Sequence, residues 1–349
     1  MNVDVMTGGL SLRRIQELAG ATQDAGFSGI VITEAGRTAY LSCAAAALAA
    51  DIDVLTGIGV AFPRSPMVTA STAWELAEVS SGRFRLGLGT QVRAHIERRY
   101  GSEFDPPGPR MRDYVGALRS IFAAFRGTQP LAYEGEFWNL SLLPPMWNPG
   151  PIEVPDPPID LAAVNPWMLR LAGEIADGVH IHPLNTPTYL RETVLPNLEE
   201  GAARSERRLA DLEVIVPAFI APGSSSAEIE AWRDMARMQV AFYGSTPNYA
   251  FIFDQLGREG TTARIRSHQK VGDVQGMAAE IDDELLEHFC ISGEWSSIAP
   301  RMIERYRGVA TRVVLYFAGL AWMQDQTSLA RWGEVAQSLR AVDRPRPQA

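Results

Sequence analysis

The sequence predicts an α/β fold, and within that class a (β/α)8 barrel, also called a TIM barrel, with two long insertions. The first observation is a repeated unit of helix, glycine turn and strand. Residues 12–25 favour a helix, residues 26–29 break it, and residues 30–33 form an apolar strand. Residues 70–89 and 169–182 repeat this order. Strands that alternate with helices build mainly parallel sheets.

The second observation is the number of strands. Eight candidates follow one another along the chain, which is the number in a closed barrel. A doubly wound open sheet is the alternative architecture, and the strand count favours the barrel. The predicted strands lie near residues 3–6, 29–34, 53–61, 84–90, 159–164, 178–182, 213–219 and 311–317.

The third observation is the length of two connections, at about residues 100–158 and 222–300. The first is predicted to contain a helix near 112–125, a hairpin through 133–138 and a proline-rich stretch that ends at 158. The second begins with PGSSS and then has a helical pattern. Long connections often form lids or binding elements. We therefore predict one barrel domain over residues 1–343, followed by a disordered tail at 344–349.

The composition excludes several classes of protein. The 349 residues contain 32 Lys and Arg against 41 Asp and Glu, a net charge of −9, whereas a nucleic-acid-binding protein needs a basic surface. The most apolar stretch, residues 39–50, is too short to cross a membrane, and no secretory signal is visible. Two cysteines cannot form a disulfide framework or a four-thiolate zinc site. We expect a cytoplasmic protein with no nucleic-acid or membrane partner.

The active site of a barrel lies at the carboxyl ends of its strands, and small residues end two of them. In the third strand, alternation places Gly57, Gly59 and Ala61 on one face, predicted to line the barrel mouth. Gly87 and Gly89 are predicted to do the same in the fourth strand. Together they would leave a slot for a flat ligand, or else accommodate a bulge or a tight barrel corner.

A helix start follows the fifth strand. Asn165 is a good N-cap residue, and Pro166 suits the first helical position. The free N–H groups and the dipole of such a helix form a natural anion site, which on the active face would suit a phosphate. The alternative is an ordinary helix start with no ligand.

Side chains at or after the strand ends are candidates for chemistry. His180 and His182 share one face of the sixth strand, and His182 lies nearer the mouth. A metal-binding pair would need further ligands, so a neutral hydrogen-bonding histidine is the favoured interpretation. Glu34 ends the second strand as a general acid or base, or as the partner of an arginine. His95 lies over the mouth or on the solvated surface.

Three motifs in order along the chain resemble those of the luciferase-like monooxygenase superfamily, in particular its coenzyme F420-dependent oxidoreductase branch. They are GIGVAFPRSP at 57–66, EVSSGRFRLGLGT at 78–90 and LAGEIADG at 171–178, with a weaker echo in ISGE at 291–294. The resemblance implies a luciferase-like barrel that binds a flavin or deazaflavin at its mouth, and it implies a homodimer.

The resemblance also implies positions for the cofactor. A non-proline cis peptide would map onto Gly59-Val60 and lie with Ala61 against the cofactor ring. Thr90 and Gln91 would lie near the ring or its side chain. The segment Ala163-Val164-Asn165 and the helix that follows would meet the phosphodiester.

Two positions depart from the family pattern. Ala35 stands where several members have a histidine, and Val92 where some sugar-phosphate-oxidising members have a glutamate. The proton donor is therefore left open between Glu34, His95 and His182. The predicted function is hydride transfer between coenzyme F420 and a small organic substrate. The alternatives are an FMN-dependent monooxygenase, a catalytically silent ligand-binding barrel and a metal hydrolase.

Overall fold

A computed structural model describes residues 1–343, so the predicted tail at 344–349 lies outside the described residues. Eight parallel strands close into a barrel in the order β1, β2, β3, β5, β8, β9, β10, β12, which confirms the predicted fold. The barrel closes because β12 pairs with β1. The strands are β1 Asn2–Gly8, β2 Gly29–Thr33, β3 Asp53–Thr56, β4 Gly59–Val60, β5 Phe84–Gly89, β6 Tyr133–Glu134, β7 Asn139–Leu140, β8 Ile159–Ala163, β9 Gly178–Ile181, β10 Glu213–Gly223, β11 Cys290–Glu294 and β12 Arg312–Leu315.

Helices surround the barrel and fill the two insertions. The 20-residue helix and the short β6–β7 hairpin of the first insertion are confirmed. Within residues 1–343, no helix is both long and apolar enough to cross a membrane. The helices are α1 Leu12–Asp24, α2 Ala39–Ala47, α3 Pro66–Val79, α4 Arg93–Arg98, α5 Pro107–Arg126, α6 Pro166–Ile175, α7 Pro187–Tyr189, α8 Leu195–Ala203, α9 Ser226–Gly244, α10 Ala250–Asp254, α11 Thr261–Lys270, α12 Val274–Ala279, α13 Asp283–Phe289, α14 Trp295–Tyr306, α15 Ala318–Gln324 and α16 Leu329–Asp343.

The third strand differs from the prediction because it is broken. Residues 53–61 were expected to form one strand, but β3 ends at Thr56 and β4 begins at Gly59. The peptide bond between Gly57 and Ile58 is cis, so the position implied by the resemblance, Gly59-Val60, is wrong by two residues. The break interrupts the side-chain alternation on which the predicted glycine face depends.

The second insertion contains a strand that the sequence did not reveal. Among residues 1–343, β11 pairs with β10 alone, beyond the barrel rim, where Cys290 lies beside Phe219 and Glu294 beside Gly223. β10 is correspondingly longer than predicted and extends to Gly223. A five-residue strand directly after helix α13 has too few residues to show a period in the sequence.

The barrel interior is built in layers, and the layer at the amino end of the strands is charged. Arg312 is buried at the amino end of β12, with its guanidinium 2.8 Å from both carboxylate oxygens of Asp4 and 2.7 Å from Asp53. Glu213 lies 3.1 Å from the same guanidinium. Burial raises the pKa of Asp4 to about 6, although Arg312 acts in the opposite direction.

An apolar layer lies above these charges and fixes which residues face inward. It consists of Val31, Leu55, Ile215 and Val314, with Met6 packed against them. Because side chains alternate along a strand, the next inward positions lie at the mouth. The charged layer and the apolar layer thus show which residues of the unbroken strands face inward at the carboxyl end.

We expect Arg312→Leu to lower the free energy of unfolding by about 3–5 kcal/mol, because it leaves the buried Asp4 carboxylate without its partner. Urea denaturation followed by circular dichroism would measure this. The matched control is Arg208→Leu, which removes an exposed ion pair with Asp211 and should have no measurable effect. Equal denaturation midpoints for the two variants would contradict the structural role of Arg312.

Candidate functional site

The floor of the mouth is made of small residues and one buried histidine. A Cβ on Gly87 would collide with the His180 ring, and a Cβ on Gly57 would lie 3.6 Å from it, so both glycines face the barrel interior. The Nε2 atom of His180 is buried without a hydrogen-bond partner among the described residues. Burial lowers the pKa of His180 to about 3, and the charges of Arg85 and Arg312 act in the same direction. His180 is therefore a neutral histidine under the mouth.

The break in the third strand turns Ile58 into the mouth. A Cβ on Gly89 would lie 2.7 Å from the Ile58 side chain and 3.4 Å from that of Ala162. Ile58, Gly57 and Ala162 are each only half-buried. Ile58, Gly89 and Ala162 thus form an apolar platform on the β3–β5–β8 side of the mouth.

The predicted slot at Gly59 and Ala61 is wrong in its position. A Cβ on Gly59 would lie 2.6 Å from the hydroxyl of Tyr40, which belongs to α2 in the helix layer. Ala61 is buried, and its N–H donates to the Gly89 carbonyl. Val60 is buried as well. Because alternation is interrupted at the cis peptide, Gly57 faces the interior and Gly59 faces the helices. That Gly59, Val60 and Ala61 contact a cofactor stays a prediction.

Glu34 holds the break in place. Its carboxylate accepts the Val60 N–H at 2.8 Å and binds the guanidinium of Arg64, which also donates to the Val60 carbonyl at 2.9 Å. The Glu34 side chain is only 5% exposed. Of the two interpretations from sequence, the arginine partner is the one that the structure shows.

Thr90 and Gln91 follow β5 directly and lie beside the platform. Thr90 is half-buried, and its hydroxyl donates to the Gln91 carbonyl at 3.1 Å. Gln91 is exposed and has a positive φ of 57°. Both side chains are accessible at the rim.

The segment after β8 forms the expected helix start. Asn165 caps α6, and its side-chain oxygen accepts the Met168 N–H at 2.9 Å, with Pro166 in the first turn. Ala163 is buried, Val164 is half-buried and Asn165 is exposed. The predicted cap is confirmed, and a ligand role for these three residues stays a prediction.

His182 occupies the inward rim position after β9. Its Nδ1 atom accepts the Leu184 N–H at 3.0 Å, so in the neutral ring the proton is on Nε2. No residue of the described chain hydrogen-bonds to that Nε2. Burial lowers the pKa of His182 to about 3. His182 is therefore an uncharged N–H donor at the mouth.

His95 and the neighbouring arginines lie on the surface. His95 is exposed in the short helix α4, and Arg93 of the same helix binds the Asp105 carboxylate. Arg98 and Arg99 are exposed too. The structure does not bring His95 together with His182 and Glu34.

Three tyrosines at the mouth escaped the sequence analysis. The His182 ring lies 4.4 Å from that of Tyr249 and 4.7 Å from that of Tyr243, measured between centroids. The hydroxyls of Tyr243 and Tyr316 are 2.6 Å apart. Tyr316 follows β12 directly, and it was the only one of the three that strand-end logic could have selected. We call His182, Tyr243, Tyr249 and Tyr316 the aromatic wall.

The described residues give no support to the metal-hydrolase hypothesis. Among residues 1–343, no three or more His, Cys, Asp or Glu side chains are grouped so as to hold a metal ion. His182 and His180 occupy different layers of the barrel, and His182 already uses Nδ1 for a backbone N–H.

Comparison with known proteins decides the family, because residues 2–312 match the luciferase-like monooxygenase family. The chain belongs to this family. An uncharacterised protein of Mycobacterium tuberculosis is 38% identical over 307 residues, covering 88% of this chain and 90% of the relative. The 5,10-methylenetetrahydromethanopterin reductase of Archaeoglobus fulgidus is 29% identical over 267 residues, covering 74% of this chain and 75% of the relative.

Solved structures share the fold of this family member. The coenzyme F420-dependent tetrahydromethanopterin reductase of Methanopyrus kandleri has a TM-score of 0.79 at 20% identity, covering 98% of this chain and 99% of the other. The oxygenating constituent of a Pseudomonas putida 3,6-diketocamphane monooxygenase, in complex with FMN, has a TM-score of 0.65 at 17% identity, covering 97% and 98%. The family is one of oxidoreductases and monooxygenases, so the protein is an enzyme of that broad kind.

We expect Gly59→Ala to lower the free energy of unfolding by about 1–3 kcal/mol, because the new methyl group meets the Tyr40 hydroxyl. Adding Tyr40→Phe should restore part of the loss. That hydroxyl is buried without a partner in the described chain, so Tyr40→Phe alone should cost little. Thermal denaturation of the three variants would measure this, and an undiminished stability of Gly59→Ala would refute the packing of Gly59 against α2.

We expect His182 to make the protein less stable in mild acid. Its pKa of about 3 in the folded state lies below the ordinary value near 6.5, so the unfolded chain binds the extra proton. Stability from this group is present above pH 6.5 and is lost as the pH falls. Between pH 7 and pH 5, the wild type should lose up to about 2 kcal/mol relative to His182→Gln in urea denaturation. A pH-independent difference between the two proteins would show that His182 is not desolvated.

Proposed function

We propose that the protein is a coenzyme F420-dependent oxidoreductase that moves a hydride between the cofactor and a small organic substrate. The observation that carries the proposal is the pairing, across one mouth, of an apolar platform with an uncharged N–H donor. Ile58 and Ala162, which lie around the buried Gly89, offer a surface for one face of a planar ring. His182 presents Nε2–H from β9, the strand next to β8.

The residues at the mouth fit a flavin-like group. Ligand sites are mostly apolar with a few placed polar groups, as here. Ile58 would support the ring, and Thr90 and Gln91 would meet its polar edge. Asn165 and the start of α6 would lie near the phosphodiester, because a helix N-terminus favours an anion. When bound, the deazaflavin would supply the two-electron hydride chemistry, and the protein would supply orientation and exclusion of water.

His182 is the residue that we propose to contact the reacting groups. As a neutral N–H donor it would hold a carbonyl or hydroxyl oxygen in place, without carrying a charge at neutral pH. Glu34 would act through the backbone. Its carboxylate accepts the Val60 N–H and binds Arg64, and these contacts hold the segment that carries Ile58. Glu34 is thus a positioning residue.

Two named relatives support the choice of cofactor. The Methanopyrus structure is described as coenzyme F420-dependent, and a putative coenzyme F420-dependent oxidoreductase of Mycobacterium tuberculosis is 27% identical over 346 residues. The FMN complex of the camphane monooxygenase supports an FMN-dependent monooxygenase as the second candidate. A cytoplasmic homodimer remains part of the proposal.

The test is a fluorescence titration of the purified protein with coenzyme F420 and, separately, with FMN. We expect saturable binding of coenzyme F420 and none of FMN. Tight binding of FMN without binding of coenzyme F420 would replace the proposal by the monooxygenase. Binding of a cofactor without turnover of any substrate would instead support a catalytically silent ligand-binding barrel.

The same titration on two variants locates the binding site. His182→Ala should raise the dissociation constant for coenzyme F420 or for the substrate about tenfold. This is the change expected when one hydrogen bond worth roughly 1.4 kcal/mol is lost. His95→Ala is the matched control, because its side chain is exposed and belongs to neither the platform nor the residues around His182, and it should leave both constants unchanged.

A further inference from the structure

The mouth has two unlike halves. Around the barrel, the platform comes from β3, β5 and β8, whereas the aromatic wall stands on β9, on β12 and on the second insertion next to them. β5 and β12 lie four strands apart in a ring of eight and therefore face each other across the mouth. If the cofactor ring lies on the platform, the substrate occupies the space against the wall.

Every member of the wall is an uncharged ring. Tyr249 ends a single 3-10 turn, Pro247–Tyr249, and Tyr243 comes from the last turn of α9. Both rings lie against His182. Burial raises the pKa of Tyr243 and of Tyr316 above the ordinary phenol value, and burial lowers that of His182, so all three stay neutral.

The hydroxyl groups of the wall are largely committed to one another. Tyr316 donates to the side-chain oxygen of Gln239 at 3.4 Å, which leaves Tyr243 to donate to Tyr316 at 2.6 Å. Two donors of the wall have no hydrogen-bond partner among the described residues, the Tyr249 hydroxyl and His182 Nε2–H, and of these the N–H can only donate. An acceptor oxygen on the substrate matches this donor.

Two arginines on the segments that follow the strands at this end are already neutralised by carboxylates. Arg64 is bound to Glu34, and Arg93 is bound to Asp105 and Glu97. An anionic substrate against the wall would meet the negative faces of aromatic rings and would lose its hydration, because no member of the wall is a cation. A neutral aromatic substrate would stack on the same rings favourably.

We propose that the substrate is an uncharged aromatic or polycyclic compound with one carbonyl or hydroxyl group, which stacks on Tyr249 and accepts a hydrogen bond from His182. This inference rests on the proposed function for the position of the cofactor. It assigns Tyr243, Tyr249 and Tyr316 to substrate specificity.

The experiment uses two probes with the same ring and different charge, 2-acetylnaphthalene and 2-naphthoate. Equilibrium dialysis against the protein saturated with coenzyme F420 would measure both dissociation constants. We expect the ketone to bind at least tenfold more tightly than the carboxylate. Equal or tighter binding of the carboxylate, or no binding of either probe, would overturn the inference.

Variants at Tyr249 test the wall itself. Tyr249→Ala should weaken binding of the ketone about tenfold, and Tyr249→Lys should shift the ratio of the two constants toward the carboxylate. The matched control is Trp147→Ala, an exposed ring in a loop held near the carboxyl end of α5 by Asn148, and it should change neither constant. An unchanged ratio in folded Tyr249→Lys, checked by circular dichroism, would show that the wall does not set specificity.

The two proposals fail in different ways. Absence of coenzyme F420 binding in the separate titration overturns the proposed function, and dialysis without cofactor then decides whether the wall still prefers the ketone. Binding of coenzyme F420 with no preference for the neutral probe overturns the substrate class alone.

Discussion

The carboxylate of Glu34 holds the break in the third barrel strand, and the layout of the mouth depends on it. A parallel strand that ran unbroken from residue 53 to residue 61 would point Ile58 at the helices. Instead Glu34 accepts the Val60 N–H and binds Arg64, while β4 pairs with β5 alone. Ile58 then lies over Gly89, and an apolar surface opens at the carboxyl end of the barrel.

The layers of the barrel below determine which strand residues face inward at the mouth. Arg312 and its three carboxylates fix the inward face at the amino end, and the apolar layer carries that face upward. His182 and Tyr316 are inward at the rim because Val314 and His180 are inward one layer below them. Arg312 and its carboxylates thus lie at the amino end of the barrel interior, whereas His182 and Tyr316 at the carboxyl end are neutral.

Much of the fold could be predicted from sequence because its units are local. Each helix, glycine turn and apolar strand appears within about 20 residues, so all eight barrel strands were found. The cap at Asn165 was found for the same reason. The break after Thr56 was missed, since the alternation argument assumes a continuous strand, and β11 is too short to show a period.

The site was harder to predict because its contacts are distant in sequence. Tyr243 and Tyr249 meet His182, and Tyr316 meets Tyr243, only through the tertiary fold. The tautomer of His182 depends on the Leu184 N–H, which no spacing rule reveals.

The most direct test of this account is a crystal structure of the protein soaked with coenzyme F420. The account predicts that the deazaflavin ring lies against Ile58, with its other face turned toward His182 and Tyr249. A ring bound away from Ile58, or an Ile58 side chain that points into the helix layer, would contradict it.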